Sequence, residues 1–258
     1  MISSNDFRIL VLQFKTYIES LSIPDRYMQE HIDLKVKHTY DVIGNIRYIA
    51  KNTGLPESDT ILAKTIALVH DIGRFQQFLT YATFDDRLSV NHAELGIKVL
   101  QDLDFFHAIA GNVNHSIIIQ SVLNHNVPRL NDTPDKRVLL FSRLLRDADK
   151  VDIWKLMTIK DVVFKILDQK HPDKYTVPNE ILNCFQNGLA VPDHCAETLN
   201  DYRLLRLSWI YDINFPATFS LLFKNNYAAK ILAKIPPSER LDEISDIVHG
   251  YIHQIVKI

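Results

Sequence analysis

An all-α fold is predicted for this chain, and three observations carry it. Apolar residues recur at steps of three and four almost throughout, the spacing of one helix face. Glycine is scarce, 7 in 258 residues, too few for the tight turns of an all-β fold. No stretch alternates polar and apolar residues convincingly enough for a half-buried strand. With 47% hydrophobic and 23% charged residues, the composition excludes collagen-like, low-complexity and disordered classes. A net charge of −2 is too balanced for a protein that coats nucleic acid or anchors electrostatically to a membrane.

Taken in order, the first helix is expected over Asp6–Ser20, stopped by Pro24. It is too polar and too short to span a bilayer. A longer helix runs from Arg26 to Asn52, with Ile32, Val36, Ile43, Ile46 and Ile49 on one face and Gly54 and Pro56 behind it. The acids of Glu57-Ser58-Asp59-Thr60 suit the start of a third helix, which carries Ile61, Leu62, Ile66, Leu68 and Val69 until Gly73 stops it. A short piece, Phe75 to Tyr81, leads to a polar loop around Asp85, Asp86 and Arg87. Further helices are expected at 92–103, 114–124, 136–157, 160–169, 179–187, 197–213, 217–233 and 240–257, separated by prolines. No linker divides the chain cleanly, so residues 1–258 read as one domain, with a C-terminal helical extension over 158–258.

The N-terminus is polar and lacks a basic start before an apolar run, so no secretory signal is read. Cys184 and Cys195 show no CxxC spacing and no disulfide framework. A reducing, cytoplasmic setting and a protein that stays off membranes are therefore expected.

Eleven histidines are the unusual feature of the composition. His38 lies inside the second helix, His70-Asp71 at the end of the third, His92 at the start of one helix and His125 at the close of another. Asp147 and Asp149 lie in a long helix with apolar neighbours. A bundle can aim such residues from different helices at one point. Imidazole with carboxylate suits divalent Mn, Fe, Co, Ni or Zn, and a pure Mg or Ca site is less apt. An aspartate at a helix C-terminus is disfavoured by the macrodipole, so a buried Asp71 there calls for a compensating cation. Any single histidine in an apolar helix is more often a satisfied core residue. His31, His107, His171, His194, His249 and His253 are read that way, and His115 is undecided.

The segments KHTYDVI around His38, ALVHDIGRF around His70-Asp71 and LRDADKVDI around Asp149 resemble the HD superfamily of metal-dependent phosphohydrolases. They reproduce its ordered H…HD…D signature over roughly residues 30–157, with 32 residues from His38 to His70 and 78 from Asp71 to Asp149. NHAELGIKVL at His92 and SVLNHN at His125 are similar to the extra histidines of members that bind two metals. The Gly-Tyr-Pro element of the cyclic-dinucleotide phosphodiesterase branch is missing. So is the Glu-Asp pair of the alarmone hydrolases, because Ile72-Gly73-Arg74 follows the His-Asp pair here.

The resemblance implies an HD-type helical bundle in which His38, His70, Asp71 and Asp149 hold one divalent ion (Mn, Fe, Co, Ni, Zn or Mg). His92 and His125 would hold a second, with Asp71 bridging. Helical periodicity does not choose between Asp147 and Asp149. The family's Ala-Asp-basic-apolar context selects Asp149. Two cations about 3.5–4 Å apart would clamp phosphate oxygens and activate a water. Arg74 and Lys150 are the expected catalytic and substrate-binding cations beside Asp71 and Asp149, and Arg87 the expected rim cation. Phe75, Phe78, Tyr81 and Phe84 read as core, or as a stacking wall. The expected reaction is hydrolysis of a small phosphorylated molecule, nucleotides included, with no nucleic-acid polymer as partner and a homo-oligomer allowed. Two other readings share this scaffold: a di-iron oxygenase, and a nucleotide sensor without turnover.

Overall fold

The computed structural model describes residues 2–108, 112–131, 133–159 and 175–256. The helix expected at 160–169 and His171 lie outside them. Every regular element among the described residues is helical, and none is long and apolar enough to cross a membrane. The chain divides into two compact units, Met1–Asp149 and Lys150–Ile258.

The first unit opens with α1 (Ser4–Glu19), started by a capping box between Ser3 and Asp6. Helix α2 (Arg26–Asn52) begins where the Asp25 side chain accepts from the Met28 amide at 2.8 Å. It turns Ile32, Val42, Ile46 and Ile49 inward, all fully buried. Against it packs α3 (Glu57–Val69), buried almost all round from Thr60 onward. Helices α4 (Ile72–Tyr81) and α5 (His92–Asp102) pack closely together. A 3₁₀ turn at Phe105–Ala108 is followed by α6 (Asn112–Leu123), which lies against α3 and α5. Helix α7 (Lys136–Met157) contains the boundary between the units.

Two expectations are corrected here. Gly73 does not stop α3. That helix ends at Val69, with His70 as its C-cap, and Gly73 lies in the first turn of α4. The residue is small for a packing reason. A Cβ on Gly73 would sit 2.2 Å from the His92 carbonyl oxygen and 2.5 Å from the Gly96 nitrogen. Asp71 is likewise not at a helix C-terminus. It is the N-cap of α4, with φ −107° and ψ 15°, where the helix dipole favours its negative charge. Its carboxylate makes no capping bond and is left to the interior.

The second unit has its own core, where the sequence suggests a single domain with an appendage. Helices α8 (Asn179–Gln186), α9 (Leu199–Ser208), α10 (Pro216–Lys224), α11 (Tyr227–Leu232) and α12 (Glu239–Val256) bury Ile181, Phe185, Leu204, Leu205, Phe219, Ile231 and Ile244 together. Two helices expected to be continuous are interrupted. Residues 209–212 tighten into a 3₁₀ turn, and Asn226 at φ +53° separates α10 from α11, a left-handed conformation that Asn tolerates.

Candidate metal centre

Three helices and two junctions of the first unit aim side chains at one buried point. His38 comes from the middle of α2, His70 and Asp71 from the α3–α4 junction, and His92 from the first position of α5. His125 comes from the turn after α6, and Asp149 from α7. All are buried except Asp149, whose side chain is 18% exposed.

Asp71 is the hub. Its Oδ2 lies 3.4 Å from His38 Nε2 and 3.6 Å from His70 Nε2, and its Oδ1 lies 3.3 Å from His92 Nε2 and 3.7 Å from His125 Nε2. Asp149 Oδ1 closes the first group, 3.1 Å from His38 Nε2 and 3.9 Å from His70 Nε2. The side chains thus fall into two donor groups that share one carboxylate. Sets drawn from them, His38–His70–Asp149 and His70–Asp71–His125, each bring three ligand atoms within 4.8 Å of one another.

The second nitrogen of three rings is committed elsewhere. His70 Nδ1 donates to the Ala67 carbonyl at 2.8 Å, His125 Nδ1 to the Val122 carbonyl at 2.6 Å, and His92 Nδ1 to the Asp86 carboxylate at 2.6 Å. These bonds put the ring protons on Nδ1 and leave the Nε2 lone pairs pointing inward. His70 Nε2 is buried without a hydrogen-bond partner. The Nε2 atoms of His92 and His125 stand 2.9 Å apart. Two lone pairs at that distance repel unless a cation or proton lies between them, so the donor chemistry fits a metal ion.

The charge states agree with that fit. Burial pushes the His70 imidazole down to about 4, against the pull of Asp71 and Asp149. Burial, then the Arg74 charge, also lowers His92. Burial pushes Asp71 up, but Lys35 and His70 outweigh it and hold the carboxyl well below its ordinary range. For Asp149 the bond from His38 and the charges of His38 and His70 outweigh burial in the same direction. Neutral imidazoles and ionised carboxylates are the forms that bind metal.

The expected cations separate. Arg74 is at the site: its Nε, buried without a hydrogen-bond partner, stands 3.6 Å from Asp71 Oδ1. Its Nη1 is occupied, donating to Asp86 at 2.8 Å, to Gln77 at 2.9 Å and to the Phe84 carbonyl. Lys150, the first residue of the second unit, donates within that unit to Asp212, to its carbonyl at 2.7 Å and to its carboxylate. Arg87 is exposed and forks onto the Asp85 carboxylate at 2.6–3.2 Å. Phe75 and Phe78 are buried core, and Phe84 stacks on Phe78 at 4.5 Å. The His115 ring lies 5.1 Å from Phe106.

Three residues of the site are not anticipated by the sequence motifs. Lys35, one turn before His38 on α2, donates from Nζ to Asp71 Oδ2 at 2.6 Å. Its position at i−3 is the available signal. Asp86 accepts from His92, Arg74, Gln77 and Asn126. Burial raises its carboxyl, but the His92 bond and the Arg74 charge prevail and hold it far below the usual range. Arg146 on α7 donates to the carbonyls of Asn124, His125 and Val127, fixing the turn that carries His125.

No curated protein and no solved structure matches the chain. The family model of the HD domain matches residues 36–154. That stretch, which is similar to the HD domain, contains His38, His70, Asp71, His92, His125 and Asp149.

Proposed function

We propose that this protein is a divalent-metal-dependent phosphohydrolase acting on a small phosphorylated molecule, a class that includes nucleotides. One observation carries the reading: the Asp71 carboxylate is shared, Oδ2 facing His38 and His70 and Oδ1 facing His92 and His125. In this reading His38, His70, Asp71 and Asp149 hold one ion, and His92 and His125 hold a second with Asp71 between them. Bound divalent cations supply Lewis-acid polarisation of phosphate oxygens and a water acidic enough to attack near neutral pH.

The chain's own groups do the rest. Asp86 keeps the proton on His92 Nδ1, so that Nε2 stays a donor. Lys35 and Arg74 bring positive charge to the two sides of Asp71, at 2.6 and 3.6 Å. A phosphoryl group at the centre meets these cations as negative charge builds on its oxygens. Lys35, whose side chain is 18% exposed, is the cation best placed to reach an incoming anion.

The test is elemental analysis of protein purified without chelator, followed by a panel of phosphomonoesters and phosphodiesters. Asp71→Ala is expected to abolish hydrolysis and lower metal content while circular dichroism stays unchanged. Full activity in that variant would refute the reading.

A further inference from the structure

The second unit brings together a different set of ligating side chains, remote in sequence from the HD motif. Glu180 lies in the first turn of α8. His194 and Cys195 are consecutive in a 3₁₀ turn, Asp193–Cys195, entered through Pro192 and closed by the Cys195 amide on the Pro192 carbonyl at 3.0 Å. One donor atom from each of Glu180, His194 and Cys195 lies within 4.8 Å of the other two. Cys195 Sγ already donates to Glu180 Oε2 at 3.6 Å. Cys184 stands one turn beyond Glu180 on the same face of α8.

Both backbone segments are anchored. Ile181 and Phe185, next in sequence to Glu180 and Cys184, bury α8 in the core of the second unit, Val191 and Ala196 pin the two ends of the turn into the same core, and Cys184 and Cys195 pack against it. The donors therefore sit on a fixed frame, with side chains exposed enough to adjust.

We propose that Glu180, His194 and Cys195 form a second metal site, selective for a thiophilic divalent ion of the zinc type, with Cys184 as the source of a fourth donor. Thiolate, imidazole and carboxylate are the zinc ligand types, at about 2.0–2.3 Å from the ion. Tetrahedral bonds of that length put donors about 3.5 Å apart, close to the 3.6 Å between Cys195 and Glu180, and no donor pair, all within 4.8 Å, has to close by more than about 1.3 Å. Burial and the Glu180 carboxylate push the Cys195 thiol up. It is therefore a thiol at neutral pH, and its proton leaves to solvent as the sulfur–metal bond forms. The ion would tie the 3₁₀ turn to α8, a structural staple with no part in the reaction proposed above.

The experiment uses the full chain, stripped of metal and titrated with Co²⁺. A thiolate-to-cobalt charge-transfer band is expected, one equivalent per chain, bleached by Zn²⁺. The HD cluster has no sulfur and cannot produce this band, so the result is independent of the proposed hydrolase activity. Cys195→Ser is expected to abolish the band, and Glu180→Gln and His194→Ala to weaken Co²⁺ binding at least tenfold. Should Cys195→Ser not fold, alkylation of the thiols in the folded chain is expected to remove the band instead. Absence of the band overturns the proposal. So does a band that survives Cys195→Ser, or one undiminished in both other variants, since thiols alone would then be collecting cobalt.

Discussion

At Asp71 a single carboxylate is asked to serve two groups of imidazoles and two cations, and its neighbours are tuned accordingly. His70 shows the energetic side. Its ordinary value of 6.5 falls to about 4 in the folded chain. The unfolded chain therefore binds the extra proton first as pH drops. The stabilising contribution is complete above pH 6.5 and is lost between about 6.5 and 4, a total of about 3 kcal/mol. Chelator-treated protein is expected to show this loss in urea titrations between pH 7 and 4.5, and a flat profile would contradict it. Lys35 shows the functional side. Lys35→Met is expected to lower kcat/KM about 100-fold while metal content, read by elemental analysis, is kept. The two sides of this neighbourhood are unequally legible in the sequence. The histidines and aspartates stand in motif order. Lys35, Asp86 and Arg146 do not, because their partners are remote residues or main-chain carbonyls, which leave no trace in residue type.

Among the helices, α2 and α7 match their sequence-based bounds, Arg26–Asn52 and Lys136–Met157. Both are long and amphipathic, and α2 is capped. The α3–α4 region escapes a sequence reading because the break at Asp71 contains neither glycine nor proline, and periodicity runs across it. The consequence falls on Gly73. Gly73→Ala forces a methyl against the His92 carbonyl and is expected to cost about 3 kcal/mol and to weaken metal binding, because His92 must shift. Gly44 in α2 and Gly250 in α12 are exposed, and a methyl carbon added at either would meet nothing within 4 Å. Gly44→Ala and Gly250→Ala are each expected to add about 0.5–1 kcal/mol, read as a higher melting temperature. The three substitutions are chemically identical and differ only in what surrounds the new carbon.

At the scale of the molecule, residues 158–258 are expected from the sequence to be an extension, and the second compact unit, Lys150–Ile258, has a core of its own. Periodicity shows which face of a helix is apolar, not which partner covers it, so it does not mark 158–258 as a separate unit. The division predicts separable effects. Leu205→Ala, at a fully buried position of the second core, is expected to cost about 2–5 kcal/mol in denaturant titrations while leaving bound metal in the HD cluster unchanged. A parallel loss of that metal would show the two units to be thermodynamically one.

The family's paired letters, His70 and Asp71, are neighbours in the chain but belong to different helices, one ending α3 and the other beginning α4. The peptide bond between them is thus a joint, and the angle between two helices sets the bite of two ligands. Two residues along, Gly73 rests on the backbone of α5. That contact works as the stop on the joint: the opening of the ligand pair is gauged by how closely two helices can touch.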